Sequence, residues 1–299
     1  SKRMGPFKKD VTLSDLARHP SYSSILQDTA MFPVVSLVVS RGQGGQKWWR
    51  DLKGDHEFEL EEKREETEFF DLTYHLLHLP VESKKLIFLQ NWEGDNLLGD
   101  LSPDQQARGR MARWFEARQR GVSRARDEYH TQHGRASLVT VLHAVEVNKV
   151  DPDHKHLTEI WRGVLDSKAN LIADRHKPDA ISYSFWQWGK KDVKEGLGRL
   201  RKRLRKLHDI ADRSLSDYGK RAFPSLVYLG EFGSGKGEDI NTDLIIGVRH
   251  LLSQQPQSAK GFGCKLAFFW NLYNNRGKDG KQYFVRKPKG DGGTRATTF

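Results

Sequence analysis

A single cysteine, Cys264, stands among 299 residues, so no intrachain disulfide can form. Cys264 also has no partner at zinc-ligand spacing, and it reads as a core residue at the start of a strand. No apolar run reaches the roughly 20 residues of a membrane helix. No charged-then-apolar leader of a secretory signal opens the chain. It starts Ser1-Lys-Arg-Met, a start that leaves cellular location open and suggests that the natural N-terminus is missing. Glycine is plentiful at 27 residues, yet no apolar run is followed by a G-x-G-x-x-G or Walker-type pattern, which argues against a nucleotide-binding doubly wound sheet. His154-Lys-His156, with Asp151 and Asp153 nearby, reads as a solvated loop. Neither a metal nor a cofactor is expected.

What is present suits a folded chain with a generous surface: 36% hydrophobic residues, eight Trp and 15 Phe. That many aromatics can furnish both a core and stacking platforms. The net charge of +11 is concentrated in two places, Arg199 to Lys206 and the Gly-rich tail over about 276–299. Such a balance admits nucleic acid or an acidic polymer as partner. Leu at 197, 200, 204 and 207 falls at helical spacing, however. The charges of the first cluster, Arg201, Arg203 and Lys206 included, then belong on the solvent side of a helix, and nucleic acid is not the expected partner.

Along the chain, apolar runs alternate with helical periods. A short helix is expected from Ser14 to Leu26, interrupted at Pro20. Val34 to Val39 reads as a strand buried on both faces. Glu59 to Leu79 reads as a helix with Phe69, Leu72, Leu76 and Leu79 on one stripe. Lys85 to Gln90 is the second strand, and Ser102-Pro103-Asp104 starts a helix running to about Tyr129, with Ser102 as cap. Strands follow at Ser137–Leu142, Asp179–Ser184, Leu226–Leu229 and Lys265–Tyr273, with helices expected near Leu157–Leu171, over the basic cluster and at Thr242–Ser253. A last short strand fits Gln282–Val285. Strand-then-helix repetition implies parallel strands joined by crossover helices.

The strand ends carry carboxylates, amides and aromatics. Val227-Tyr-Leu-Gly-Glu231-Phe-Gly233 brings one carboxylate to a strand tip, where the chemistry of a β/α barrel resides. Alternation puts Val227, Leu229 and Glu231 on one face. Gly230-Glu231-Phe232-Gly233 resembles the seventh-strand nucleophile motif of clan A glycoside hydrolases, the family 5 cellulases especially. Phe269-Trp270-Asn-Leu-Tyr273 is similar to their eighth strand, and Ser182-Tyr183-Ser-Phe-Trp186 to their sixth. Counting back, Leu142 to Asn148 becomes strand five, Leu86 to Glu93 strand four and Val34 to Val39 strand three. Strand four carries the acid/base Glu in these enzymes, and Asn91-Trp92-Glu93 stands there. Two features depart from the pattern. Trp92 separates Asn91 from Glu93, and strands one and two are not evident.

The resemblance implies a single (β/α)8 TIM-barrel-like domain over 1–299 that acts on an oligo- or polysaccharide by double displacement. Glu231 would attack the anomeric carbon, and Glu93, kept protonated by burial and by the charge of Glu231, would protonate the leaving oxygen. Asn91 would bond the sugar 2-hydroxyl, Tyr183 would orient Glu231, and Trp270 would stack on a sugar face. Asp95 is a turn residue or a sugar ligand. Glu146 and Asn148 share a face, and Glu146 is the alternative acid, while His143 reads as a polar core or supporting residue. A non-catalytic carbohydrate-binding protein of the same fold is the second expectation, and a polyanion binder the third.

Overall fold

The computed structural model describes residues 11–41, 46–52, 54–99, 104–150, 176–186, 193–233, 238–253 and 264–269. Their contacts divide into two compact units. One comprises the chain up to Ala180 together with Arg213–Phe223, the other Ile181–Asp212 and the residues from Pro224 onward.

The first unit opens with α1 (Leu13–Arg18) and α2 (Pro20–Gln27). A reciprocal capping box between Thr12 and Asp15 starts α1. The break falls where expected, because the residue before a proline is driven out of the helical region. His19 is extended, at ψ 136°, and Pro20 begins α2. Three parallel strands follow in order, β1 (Val34–Val38), β2 (Lys85–Gln90) and β3 (Val139–Val147). Lys85 is buried, and its ammonium donates to the carbonyls of Ile25, Asp28 and Phe32 at 2.6–3.0 Å, which anchors the α2–β1 connection to the start of β2. The expectation that β1 is buried on both faces does not hold, since Val35 is buried but Val38 is 46% exposed. Among the described residues β1 pairs only with β2, and an edge strand leaves one side open.

Between these strands lie α3 (Trp48–Asp51), α4 (Asp55–Leu77), α5 (Gly94–Leu98) and α6 (Gln105–His133). The cap of α6 is Asp104, whose carboxylate accepts from Gln106 and Ala107 N–H; Ser102, the expected cap, lies outside the described residues. Gly134, left-handed at φ 61°, ends the helix. One face of β2 and β3, through Ile87, Leu89, Val139 and Val141, packs with Phe69, Leu72 and Leu76 of α4 and Val122 of α6. The other face presents Phe88, Gln90, Leu142, Ala144 and Glu146.

An ionic layer joins α4 to α6. Glu65 is fully buried and accepts from the indole N–H groups of Trp48 and Trp114 at 3.1 and 2.9 Å. It also pairs with the guanidinium groups of Arg41 and Arg118, each at 2.7 Å. Arg118 is likewise fully buried, 4.1 Å from the Trp114 ring centroid. Removing one partner from such a pair leaves an uncompensated buried charge, at a cost of about 3–5 kcal/mol.

The second unit contains β4 (Ala180–Phe185, its first residue assigned to the first unit), α7 (Val193–Ser214, with its last two residues there too), β5 (Val227–Phe232), α9 (Glu238–Ser253) and β6 (Ala267–Phe269). The short α8 (Asp217–Ala222) belongs to the first unit. β4, β5 and β6 are parallel and paired in chain order. Leu200, Leu204, Leu207 and Ile210 of α7 are buried, as their spacing requires. Arg201 is exposed, but Arg203 is not. Arg203 donates to the Tyr183 hydroxyl at 3.3 Å and lies 5.4 Å from the Phe185 ring. Position 203 is three residues from Leu200 and four from Leu207, so it falls on the apolar stripe. Lys206 is half-buried.

The fold is therefore mixed α/β, built of parallel strands alternating with helices. No helix among the described residues is long and apolar enough to cross a membrane. The helix expected near Leu157–Leu171, the strand at Gln282–Val285, the pair His154 and His156, and the basic tail lie outside the described residues.

Candidate active site

At the C-terminal tips of β2 and β3 the chain gathers three buried carboxylates, Glu93, Asp95 and Glu146. Glu93 follows β2 at φ 22° and ψ 75°, a conformation that costs a non-glycine residue roughly 1–3 kcal/mol. Two contacts hold it there. Its backbone N–H donates to the Glu146 carboxylate at 2.8 Å, and its own carboxylate accepts from the Asn96 side-chain amide, one turn into α5.

Asn91 is fully buried and turned toward β3, where its amide receives the Glu146 N–H at 3.0 Å and donates to the Glu146 carbonyl at 3.2 Å. The side chain thus imitates a strand neighbour and extends the β2–β3 ladder beyond Gln90. Sequence alternation places Asn91 and Glu93 on one face, but the strand has already ended, and Asn91 supports the backbone of Glu146 instead of presenting its amide beside Glu93. Asp95 clamps the next step, one oxygen accepting from the N–H groups of Asn148 and Lys149 at 2.7 and 2.8 Å. Among the described residues Asn148 Oδ1 is buried without a hydrogen-bond partner, an acceptor suited to a ligand hydroxyl.

The signal overlooked in the sequence is Trp92 itself. Trp48, Trp49 and Trp114 are at most 5% exposed, whereas Trp92 is 41% exposed. Its backbone N–H is held at 2.7 Å by Gln46, which also donates to the Val39 carbonyl, tying the tips of β1 and β2. A Trp between two polar residues at a strand tip marks an outward-facing ring, and Gln46 carried no such mark.

In the second unit Glu231 is 6% exposed near the end of β5. The register runs Tyr183 with Leu229, then Ser184 with Glu231, so Gly230 is an extra residue, a β-bulge. The bulge reverses the alternation. Glu231 therefore shares its face with Tyr228, Ser182 and Ser184, not with Val227 and Leu229. Tyr183 lies on the opposite face, turned to Arg203 of α7, and is not placed to orient Glu231. Phe268 of β6 meets the Tyr228 ring edge-on at 5.9 Å on the Glu231 side. Trp270 lies outside the described residues.

His143 faces the helices, fully buried, with Nδ1 3.2 Å from the Gln119 side-chain oxygen. Burial, with Arg118 and Arg126 nearby, holds its pKa well below the ordinary imidazole value. It is a neutral core group, as expected. Among the described residues no group of three or more His, Cys, Asp or Glu side chains is arranged to hold a metal ion. Compared with known proteins, the chain matches no family model and no curated protein.

Proposed function

We propose that the protein is a retaining glycoside hydrolase of clan A type on a β/α barrel, with Glu93 as acid/base and Glu231 as nucleophile. The observation that carries the reading is the construction around Glu93. A buried carboxylate on a strained backbone is fixed by Asn96 and by the carboxylate of Glu146, beside an exposed indole. Strain and burial concentrated on one carboxylate are features of catalytic sites. An exposed tryptophan offers the apolar face of a sugar ring a platform, and Asn148 Oδ1 offers an acceptor for a hydroxyl. Parallel strands alternating with helices are compatible with a barrel, at whose C-terminal rim the chemistry belongs.

In the reaction, the Glu231 carboxylate attacks the anomeric carbon while Glu93 gives its proton to the leaving oxygen. Glu93, then ionised, takes a proton from the water that releases the sugar from Glu231. Cleavage of a β-glycan panel, read as new reducing ends, tests the reading; Glu231→Gln should abolish it.

One observation favours a second reading, carbohydrate binding without turnover. Asn91 and Glu146 are committed to holding the tip together. Saturable glycan binding with no reducing ends released would identify that case.

A further inference from the structure

Far from the strand tips, α4 and α6 run side by side in the same direction, as the pairings Glu62–Arg120, Tyr74–Gln132 and His78–His133 show. Their C-terminal ends therefore meet. At that meeting point His78, the residue closing α4, and His133, the last of α6, bring their Nε2 atoms to 2.9 Å. The Nδ1 of His78 lies 2.8 Å from the Tyr74 carbonyl. A carbonyl only accepts, so Nδ1 carries the proton and the Nε2 lone pair of the neutral ring points at His133. A second-neighbour carbonyl that fixes the tautomer is the usual support of a metal-binding imidazole.

The spacing is that of an N–H···N hydrogen bond, and it also fits two ligands of a square metal. Two nitrogens at 90° on a metal with bonds of about 2.0–2.1 Å lie about 2.8–3.0 Å apart, whereas a tetrahedral site needs about 3.3–3.4 Å. The converging C-termini of a 23-residue and a 29-residue helix add partial negative charge that favours a cation. Both imidazoles are exposed and line an open groove of about 470 Å³, with room for waters to complete the coordination. Tyr129 packs against both rings at 4.8 and 4.4 Å, and Arg135 lines the same groove as an opposing positive charge.

We propose that His78 and His133 form a two-imidazole site for a tetragonal divalent transition metal, copper(II) foremost, with the two Nε2 atoms as adjacent ligands. Copper heads the affinity order for nitrogen ligands, and tetragonal geometry suits it. When the metal binds, the His133 ring exchanges its Nε2 proton for one on Nδ1 through solvent, so no net proton need be released.

The test is titration of the chelator-stripped full chain with copper(II) sulfate, followed by calorimetry and electron spin resonance. We expect a tetragonal signal with hyperfine splitting from two imidazole nitrogens. His78→Gln and His133→Gln, which keep a polar group at the helix ends, should each weaken binding by at least the roughly 10–100-fold seen on losing an outer supporting group. Melting curves verify that the variants fold. The chain has 12 histidines, so His154→Ala/His156→Ala is the control and should leave the isotherm unchanged. Loss of binding in that control, an unchanged isotherm in the His78→Gln/His133→Gln double variant, or no saturable site would each overturn the proposal.

Discussion

Trp92, just beyond the end of β2, and His143, on β3, fulfil opposite tasks. Trp92 leaves its ring in solvent while its backbone is fixed, so in the proposed hydrolase its contribution would be to sugar binding. Trp92→Ala should raise KM for an oligosaccharide roughly 2–12-fold, the equivalent of about 0.5–1.5 kcal/mol of stacking, with melting temperature unchanged. A loss confined to stability would place the ring in the core instead. His143 contributes to stability in a pH-dependent way. Its folded pKa is depressed, so below an unfolded value of about 6.5 the unfolded chain takes a proton that the folded one refuses. Stability should therefore fall with pH, by up to about 1.4 kcal/mol per pH unit from this one group. Urea midpoints between pH 7 and 5 should fall less steeply for His143→Gln than for the wild type, and parallel slopes would contradict the account. At this scale residue type made Glu93 and Glu231 candidates, and the structure buries both side chains, as it does His143. Asn91 and Tyr183 misled because alternation was extended past Gln90, where β2 stops, and because the Gly230 bulge reverses the face on which Glu231 lies.

Elements were easier to read than faces. The periods of α4 and α6 and the apolar runs of β1 to β5 locate them to within about five residues, and the leucine spacing marks α7 without giving its ends. The short α3, α5 and α8 have too few turns for a period to show. Arg203 illustrates the remaining gap, since a basic run hides the one arginine that the helical period carries under β4. The packing of α4 on α6 has a sharper determinant. A Cβ at Gly121 would lie 2.4 Å from the Glu66 carbonyl and 2.9 Å from Phe69 Cβ, while one at Gly109, on the same helix, meets nothing within 4 Å. Ala favours a helix over Gly by up to about 1 kcal/mol at either position. Gly109→Ala should therefore stabilise by about that amount, and Gly121→Ala should destabilise by about 1–3 kcal/mol as the helices are forced apart. Equal denaturation midpoints for the two variants would show that the close approach is not needed.

For the whole molecule, the strand-then-helix order was readable from the sequence because parallel strands require crossovers. The net charge of +11 bears on solubility and on electrostatic attraction, not on the fold. A protein that owed its function to that charge would bind its partner with steep salt dependence and be indifferent to Glu231. The proposed hydrolase places its function in two glutamates, Glu93 and Glu231. The most direct test is turnover of activated and poor-leaving-group β-glycosides by the wild type, Glu231→Gln and Glu93→Ala, with and without azide. The account predicts cleavage by the wild type and none by Glu231→Gln. Glu93→Ala should lose about 10²–10⁴-fold on poor leaving groups, much less on activated aryl glycosides, and azide should rescue turnover of its glycosyl-enzyme. Azide rescue in Glu146→Ala but not in Glu93→Ala would move the acid to β3, and undiminished cleavage by Glu231→Gln, or none by the wild type, would contradict the central claim.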